Sequence, residues 1–162
     1  MRRVLDTPMK YLANQKMNKF MKRALKEAKK AYKKGEVPIG AVVVKDNKII
    51  AKAYNQRETK QDPTGHAEII ALKKASKKIK SWRLEDCDIY VTLEPCPMCA
   101  GAIIQARIKN LYFGAYDFKS GAASSAINLF NYPWNHQVKV KGGILESESK
   151  ELLQTFFKSL RK

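Results

Sequence analysis

The sequence predicts an α/β domain in three layers, α/β/α, with a five-stranded mixed sheet at its centre. Three observations predict it. Segments with helical spacing of apolar residues alternate with short β-rich runs in the order helix, two strands, helix, strand, helix, strand, then strand and helix, and such an order covers both faces of one sheet. The 162 residues suffice for one domain with its own core. No internal repeat, low-complexity linker or apolar run of membrane-crossing length interrupts the pattern.

Phe20, Met21, Ala24, Leu25, Ala28, Ala31 and Tyr32 recur at helical spacing, and Gly35 with Pro38 closes this first helix. The runs Ile39 to Val44 and Ile49 to Tyr54 are β-rich and flank Lys45-Asp46-Asn47-Lys48, whose central Asp-Asn tolerates a tight hairpin turn. A polar loop with Asp62-Pro63-Thr64-Gly65 follows. Ala67, Ile70, Ala71, Ala75 and Ile79 mark a second helix, with Asp62 or Thr64 as its expected cap and His66 and Glu68 at its N-terminus. Ile89 to Leu93 reads as a buried strand, Pro95 to Ala106 as a third helix carrying Cys96 and Cys99 in its first turn, and Leu111 to Ala115 as another strand. A small-residue segment from Gly121 to Ala126 comes next, then a short alternating strand near Val138 and Val140. The last helix carries Leu152, Leu153, Phe156, Phe157 and Leu160. In sheets of this kind, sites form where strand ends meet helix N-termini.

Lys and Arg outnumber Asp and Glu by 32 to 15, a formal charge of +17. Doublets such as Lys29-Lys30, Lys33-Lys34, Lys73-Lys74 and Lys77-Lys78 are spaced as on the wet faces of amphipathic helices. Individually they read as solvation. Their sum points to a polyanion, because counterion release and long-range attraction depend on total charge. No basic helix pairs with a strongly apolar exposed face, so a membrane surface is the weaker partner and no membrane association is expected. Residues 1–16 contain Arg2 and Arg3 without an apolar stretch behind them, which excludes a secretory signal. They read as an N-terminal extension or added leader, with the functional domain over 17–162.

The three cysteines, Cys87, Cys96 and Cys99, are an odd count with two in a C-x-x-C. That suits a reducing, cytoplasmic setting and metal or redox chemistry better than a disulfide scaffold. In a first helical turn the Cys96 and Cys99 sulfurs share a face, Pro97 suits the first helical position, and the helix dipole favours thiolates. With His66 as third ligand the set is His, Cys, Cys, leaving a fourth position for water, as in catalytic rather than structural zinc sites. A closed structural site completed by His136, and a redox disulfide, are the rivals. Glu68 alone is weak evidence, since two residues along a regular helix puts its side chain nearly opposite that of His66, and any first-turn glutamate suits the dipole.

Taken together, His-Ala-Glu at 66–68 and Pro-Cys-Pro-Met-Cys at 95–99 form a zinc-deaminase signature. From about Met17 onward the chain resembles the bacterial tRNA adenosine deaminases. The resemblance runs through Gly35-Glu36-Val37-Pro38-Ile39-Gly40-Ala41, Asp62 to Glu68, Thr92-Leu93-Glu94-Pro95 to Ala102, and Phe113-Gly114-Ala115-Tyr116-Asp117-Phe118-Lys119-Ser120-Gly121-Ala122-Ala123. It implies a cytidine-deaminase-like fold, a homodimer, one zinc per subunit and conversion of the wobble adenosine of an arginine tRNA to inosine. It also implies that Asn55 holds the purine edge, Ile39 packs on the base and Asp117 sits near the ribose and backbone. The same residues have simpler readings as hairpin residue, core side chain and loop cap. Gly65 and Ser125 depart from the family, which often has Ala and Gly there.

On this reading zinc lowers the pKa of water, Glu68 accepts its proton and returns protons to ring N1 and the departing amine, and the backbone at Ala67 and Pro95 contacts the reacting centre. The enzyme is then a hydrolase of a cyclic amidine C–N bond, needing no organic cofactor. RNA contacts are expected from Lys119 and, on the last helix, from Phe156, Phe157, Lys158, Arg161 and Lys162, although the phenylalanines also suit a core. A free guanine or cytosine deaminase shares the signature but should be nearer neutral. Riboflavin-pathway deaminases commonly carry a reductase domain, for which 162 residues leave no room. A non-catalytic RNA-binding protein with structural zinc would have no use for Glu68.

Overall fold

The computed structural model describes residues 7–161, so Lys162 and residues 1–6 of the expected extension lie outside the described residues. Helix α1 (Thr7–Lys33) leads into the hairpin β1 (Gly40–Lys45) and β2 (Lys48–Tyr54). The short α2 (Arg57–Lys60) and then α3 (Ala67–Ile79), β3 (Cys87–Leu93), α4 (Pro97–Gln105) and β4 (Asn110–Ala115) follow. A 3-10 turn (Leu129–Asn131), β5 (Lys139–Lys141) and α5 (Glu146–Leu160) complete the domain. The sheet order is β2-β1-β3-β4-β5; β1 is antiparallel to both β2 and β3, and β3, β4 and β5 run parallel. The sheet is therefore mixed and five-stranded, as expected.

Strand alternation sends side chains to two separate cores. Val42, Val44 and Tyr90 face α1 and pack with Phe20, Met21 and Ala24, with Tyr90 stacked on Tyr112 at 4.6 Å between ring centroids. Ala41, Val43, Ile89 and Val91 face the opposite side and pack with Ala71 and Ala75 of α3 and Ala100 and Ile103 of α4. Helix α1 lies so close to β1 that a Cβ on Gly40 would fall 2.1 Å from the Ala24 carbonyl oxygen. Small residues at 24 and 28 of the helix permit that approach.

The expected hairpin turn is present. Asp46 and Asn47 both have positive φ, 50° and 61°, the conformation that a two-residue turn between twisted strands demands. The eight lysines of the four doublets are all exposed. Differences from the expected elements have local causes. Helix α1 begins at Thr7, well before Phe20, because residues 8–16 are exposed and carry no buried face to write a period. Helix α5 begins at Glu146; Glu146 and Glu148 suit its first turn, and the buried Ser149 meets β4 at Gly114, where a larger residue would not fit. Asp62 and Thr64 do not cap α3. His66 is its N-cap without a side-chain bond, and the Asp62 Oδ1 instead accepts from the Thr64 N–H and hydroxyl, both at 2.8 Å, closing the loop on itself.

Candidate active site

Because β1 runs against β3, the start of β1 lies beside the end of β3, and the ends of β2 and β4 flank them: Gly40 pairs with Tyr54, Ala41 with Val91 and Leu93 with Ala115. The N-termini of α3 and α4 meet the sheet at this same end. A cavity of about 610 Å³ opens there, with His66, Ala67, Glu68 and Cys96 among its lining residues.

His66 and Cys96 are the N-cap residues of α3 and α4, with extended backbone at φ −82°, ψ 148° and φ −73°, ψ 172°. Leaving helical geometry at the cap frees the His66 side chain from the helical phase that would oppose it to Glu68. His66 Nδ1 lies 3.7 Å from Cys96 Sγ and 3.5 Å from Cys99 Sγ, and the three donor atoms all fall within 4.8 Å of one another. Tetrahedral bonding at ordinary zinc distances sets nitrogen and sulfur about 3.6 Å apart, so the donors fit such an ion. Two helix N-termini converge on them, and their partial positive charge favours thiolate ligands. A bond shared with Cys99 and another with His66 draw the Cys96 thiol down to about 4, while that sharing and burial push Cys99 up. His136 is elsewhere, its Nε2 donating to the Ile108 carbonyl at 2.7 Å. Among the described residues it joins no metal-ligand cluster, so a closed site through it does not form.

Glu68 is only 4% exposed, and burial pushes its carboxyl up to about 7. A carboxyl balanced near neutrality beside a metal-ligand set can both take and give a proton.

The walls are held by two carboxylates for which the sequence reading assigned no role. On one side Glu36, buried, accepts from the Glu58 N–H at 3.1 Å, the Thr59 N–H at 2.6 Å and the Thr59 hydroxyl at 2.5 Å, capping α2 from a distance. This holds the segment against Asn55, whose Oδ1 accepts from the Arg57 N–H at 3.2 Å and whose Nδ2 donates to the Val37 carbonyl at 3.3 Å. Asn55 and Ile39 both line the cavity. On the other side Glu94 gathers the loop after β4, where Asp117, Lys119 and Ser120 line the cavity. Asp117 Oδ1 caps that loop, accepting from Lys119 N–H at 3.1 Å and Ser120 N–H at 3.2 Å. Pro95 is buried and does not line the cavity; its carbonyl accepts from Ala122 N–H at 2.8 Å. Glu36 and Glu94 stand inside the motifs quoted above, and the available signal was a charged residue among apolar and proline neighbours at a strand or helix end.

Burial pushes the Glu36 carboxyl up, but bonds from the Thr59 hydroxyl and the Thr59 and Glu58 amides outweigh it, so the group titrates below its ordinary value of 4.5. The folded protein then holds this proton less tightly than the unfolded chain. Its stabilisation is present above the ordinary value and is lost as pH falls through the folded one. Glu36→Gln should cost about 1–3 kcal/mol at neutral pH, and thermal melts should show the gap to wild type closing as the medium is acidified.

Of the residues expected to meet RNA, Phe157 lines the cavity with Leu153, whereas Phe156 is buried against Tyr32, ring centroids 5.7 Å apart. Lys158 and Arg161 are exposed along an adjoining groove that shares Tyr116, Phe118 and Lys119 with the cavity.

The chain matches the MafB19-like deaminase family over residues 15–161. It is 51% identical over 144 residues to the tRNA-specific adenosine deaminase of Bacillus subtilis (strain 168), covering 88% of this chain and 89% of that protein. A solved structure from studies of A-to-I editing by tRNA:A34 deaminases at the wobble position of transfer RNA superposes with a TM-score of 0.80 at 47% identity, covering 83% of this chain and 98% of that one. Guanine deaminase from Bacillus subtilis is further away, with a TM-score of 0.58 and 35% identity, covering 72% and 85%.

Proposed function

We propose, on the premise that this chain belongs to the MafB19-like deaminase family and within it to the tRNA-specific adenosine deaminases, that it hydrolyses adenosine to inosine at the wobble position of a tRNA anticodon loop, that of an arginine tRNA. The observation that carries the chemistry is the buried Glu68 beside the His66, Cys96 and Cys99 donors, with Glu68, His66 and Cys96 all lining the cavity. A closed structural metal site has no use for a proton-accepting carboxylate.

His66, Cys96 and Cys99 would hold one zinc per subunit, which when bound would lower the pKa of water to about 7. Glu68 takes the proton of the attacking water and delivers it to ring N1 as C6 is attacked. It then carries a proton to the departing amine, so that inosine and ammonia leave. Asn55 holds the purine edge and Ile39 packs on its face, while Ala67, at the start of α3, has an N–H without an intrahelical partner to offer the reacting centre. Asp117 is assigned to the ribose and backbone, its Oδ2 being free of the two bonds that Oδ1 accepts.

The charge of +17 favours RNA over a free base, and the groove beside the cavity supports contacts from Lys119, Phe157, Lys158 and Arg161. An unpaired loop adenosine is also the easiest to extrude, since unstacking costs about a few kcal/mol and least when pairing is absent. Incubation with a panel of tRNAs, anticodon stem-loops and free nucleobases, read by inosine mapping and ammonia release, tests the substrate. Stem-loop turnover with little on free adenine is expected; efficient turnover of free guanine or cytosine with none on the stem-loop overturns it. Removing Lys158 and Arg161 together should weaken stem-loop binding, and each lost phosphate contact should flatten the log–log salt dependence by about 0.7.

A homodimer in the cytoplasm completes the reading. An exposed apolar groove between α3 and α4, lined by Ile69, Leu72, Trp82 and Ala102, supports the dimer, and light scattering on the purified protein measures it. Among the described residues no helix is long and apolar enough to cross a membrane.

A further inference from the structure

We propose that Glu94 is a positioning residue for substrate binding: its buried carboxylate ties the loop over residues 117–125 to the strand end leading into Cys96, and so sets the pocket wall that Asp117 and Lys119 present to RNA. The kinetic part of this inference rests on the tRNA reading above; the tether itself does not.

Glu94 is 2% exposed, and no Lys or Arg pairs with it among the described residues. A buried carboxylate without a cation must be satisfied by other donors, and all of its donors come from one loop. Oε1 accepts from the Asp117 N–H at 3.1 Å and from the Ser125 hydroxyl, and Oε2 accepts from the N–H groups of Ala123, Ser124 and Ser125 at 3.0, 2.9 and 3.0 Å. The carboxylate thus grips both ends of a segment without helix or strand, Oε1 reaching Asp117 and Ser125 and Oε2 the 123–125 end alone. From the first end the tether is relayed: the Asp117 N–H is held by Glu94, and Asp117 Oδ1 holds the N–H groups of Lys119 and Ser120. Between the two ends the chain passes over the carboxylate at Gly121, where a Cβ would lie 2.3 Å from Glu94 Cδ and 2.4 Å from the Asp117 carbonyl oxygen. The wall is therefore set by one side chain that itself lines the cavity.

The test uses the zinc-loaded full chain and two variants that reach the tether from opposite sides. Glu94→Gln keeps one acceptor oxygen but turns an NH2 group toward an N–H donor. Gly121→Ala lifts the loop off the carboxylate. Both should raise hydrogen exchange across 117–125 while α3 stays protected and zinc stays at one per subunit. Both should raise KM for an anticodon stem-loop about tenfold to a hundredfold, the scale of one lost charge-assisted contact, with kcat within about twofold of wild type. Ser125→Ala, which removes only the hydroxyl, should move the same quantities less and keeps the test alive if a stronger variant does not fold. In a double-mutant cycle the Glu94→Gln penalty should largely vanish in an Asp117→Ala background, because both changes break one relay. Unchanged exchange in the loop, a fall in kcat with KM unmoved, or additive penalties with Asp117→Ala overturns the proposal. Should the wild-type chain turn over no stem-loop at all, the tRNA reading falls, and the exchange experiment alone decides the tether.

Discussion

Glu68→Ala should retain zinc and stem-loop affinity yet lose about a hundredfold to ten-thousandfold or more of turnover, the range that follows when a positioned general acid–base group is removed. The separation follows from placement. Glu68 is not among the donors that fit an ion, His66, Cys96 and Cys99, and its burial leaves it little surface to offer an RNA backbone. Glu68→Gln should behave alike while disturbing packing less, because it keeps the volume of a fully enclosed side chain. Single-turnover assays beside zinc analysis and stem-loop binding distinguish lost chemistry from lost metal. Near-normal turnover in either variant would sink the assignment of Glu68.

The second large effect is on the metal. Cys96→Ser and His66→Ala should each lower bound zinc sharply and abolish activity, since an open site has only three protein donors and no spare. His136→Ala should leave about one zinc per subunit, because the His136 ring is committed to the Ile108 carbonyl. Elemental analysis of the purified variants measures all three. Zinc lost from the His136 variant and kept in the His66 variant would reverse the assignment. Loss of the ion should also loosen the junction of α3 and α4, whose N-cap residues both supply donors, and Tm should fall with the zinc content.

The hydrophobic period made the main helices and the order of strands legible, because each packs one face on a continuous sheet. It failed where packing writes no period. Residues 8–16 extend α1 into solvent, and α2 is four residues held by Glu36 rather than by an apolar stripe of its own. The cap of α3 was misread because Asp62 is engaged by Thr64 two residues on, a competition between local bonds that composition does not resolve.

The sequence by itself determined the chemistry of the donors: His66, Cys96 and Cys99 are residue types that can ligate a metal, and the short Cys96-to-Cys99 separation places two of them together through the geometry of one helical turn. The tertiary structure decided everything that depends on distant segments meeting. It turned His66 out of helical phase at a cap, so that it meets sulfurs thirty or more residues away in the chain. It buried Glu68 enough to raise its carboxyl to about 7. It also made Glu36 and Glu94 into clamps, sent Phe156 into the core and left Phe157 at the cavity. Ligand identity is a local property of side-chain chemistry, whereas burial and convergence arise only when the antiparallel β1 brings its start beside the end of β3 and the two helix N-termini close over that edge.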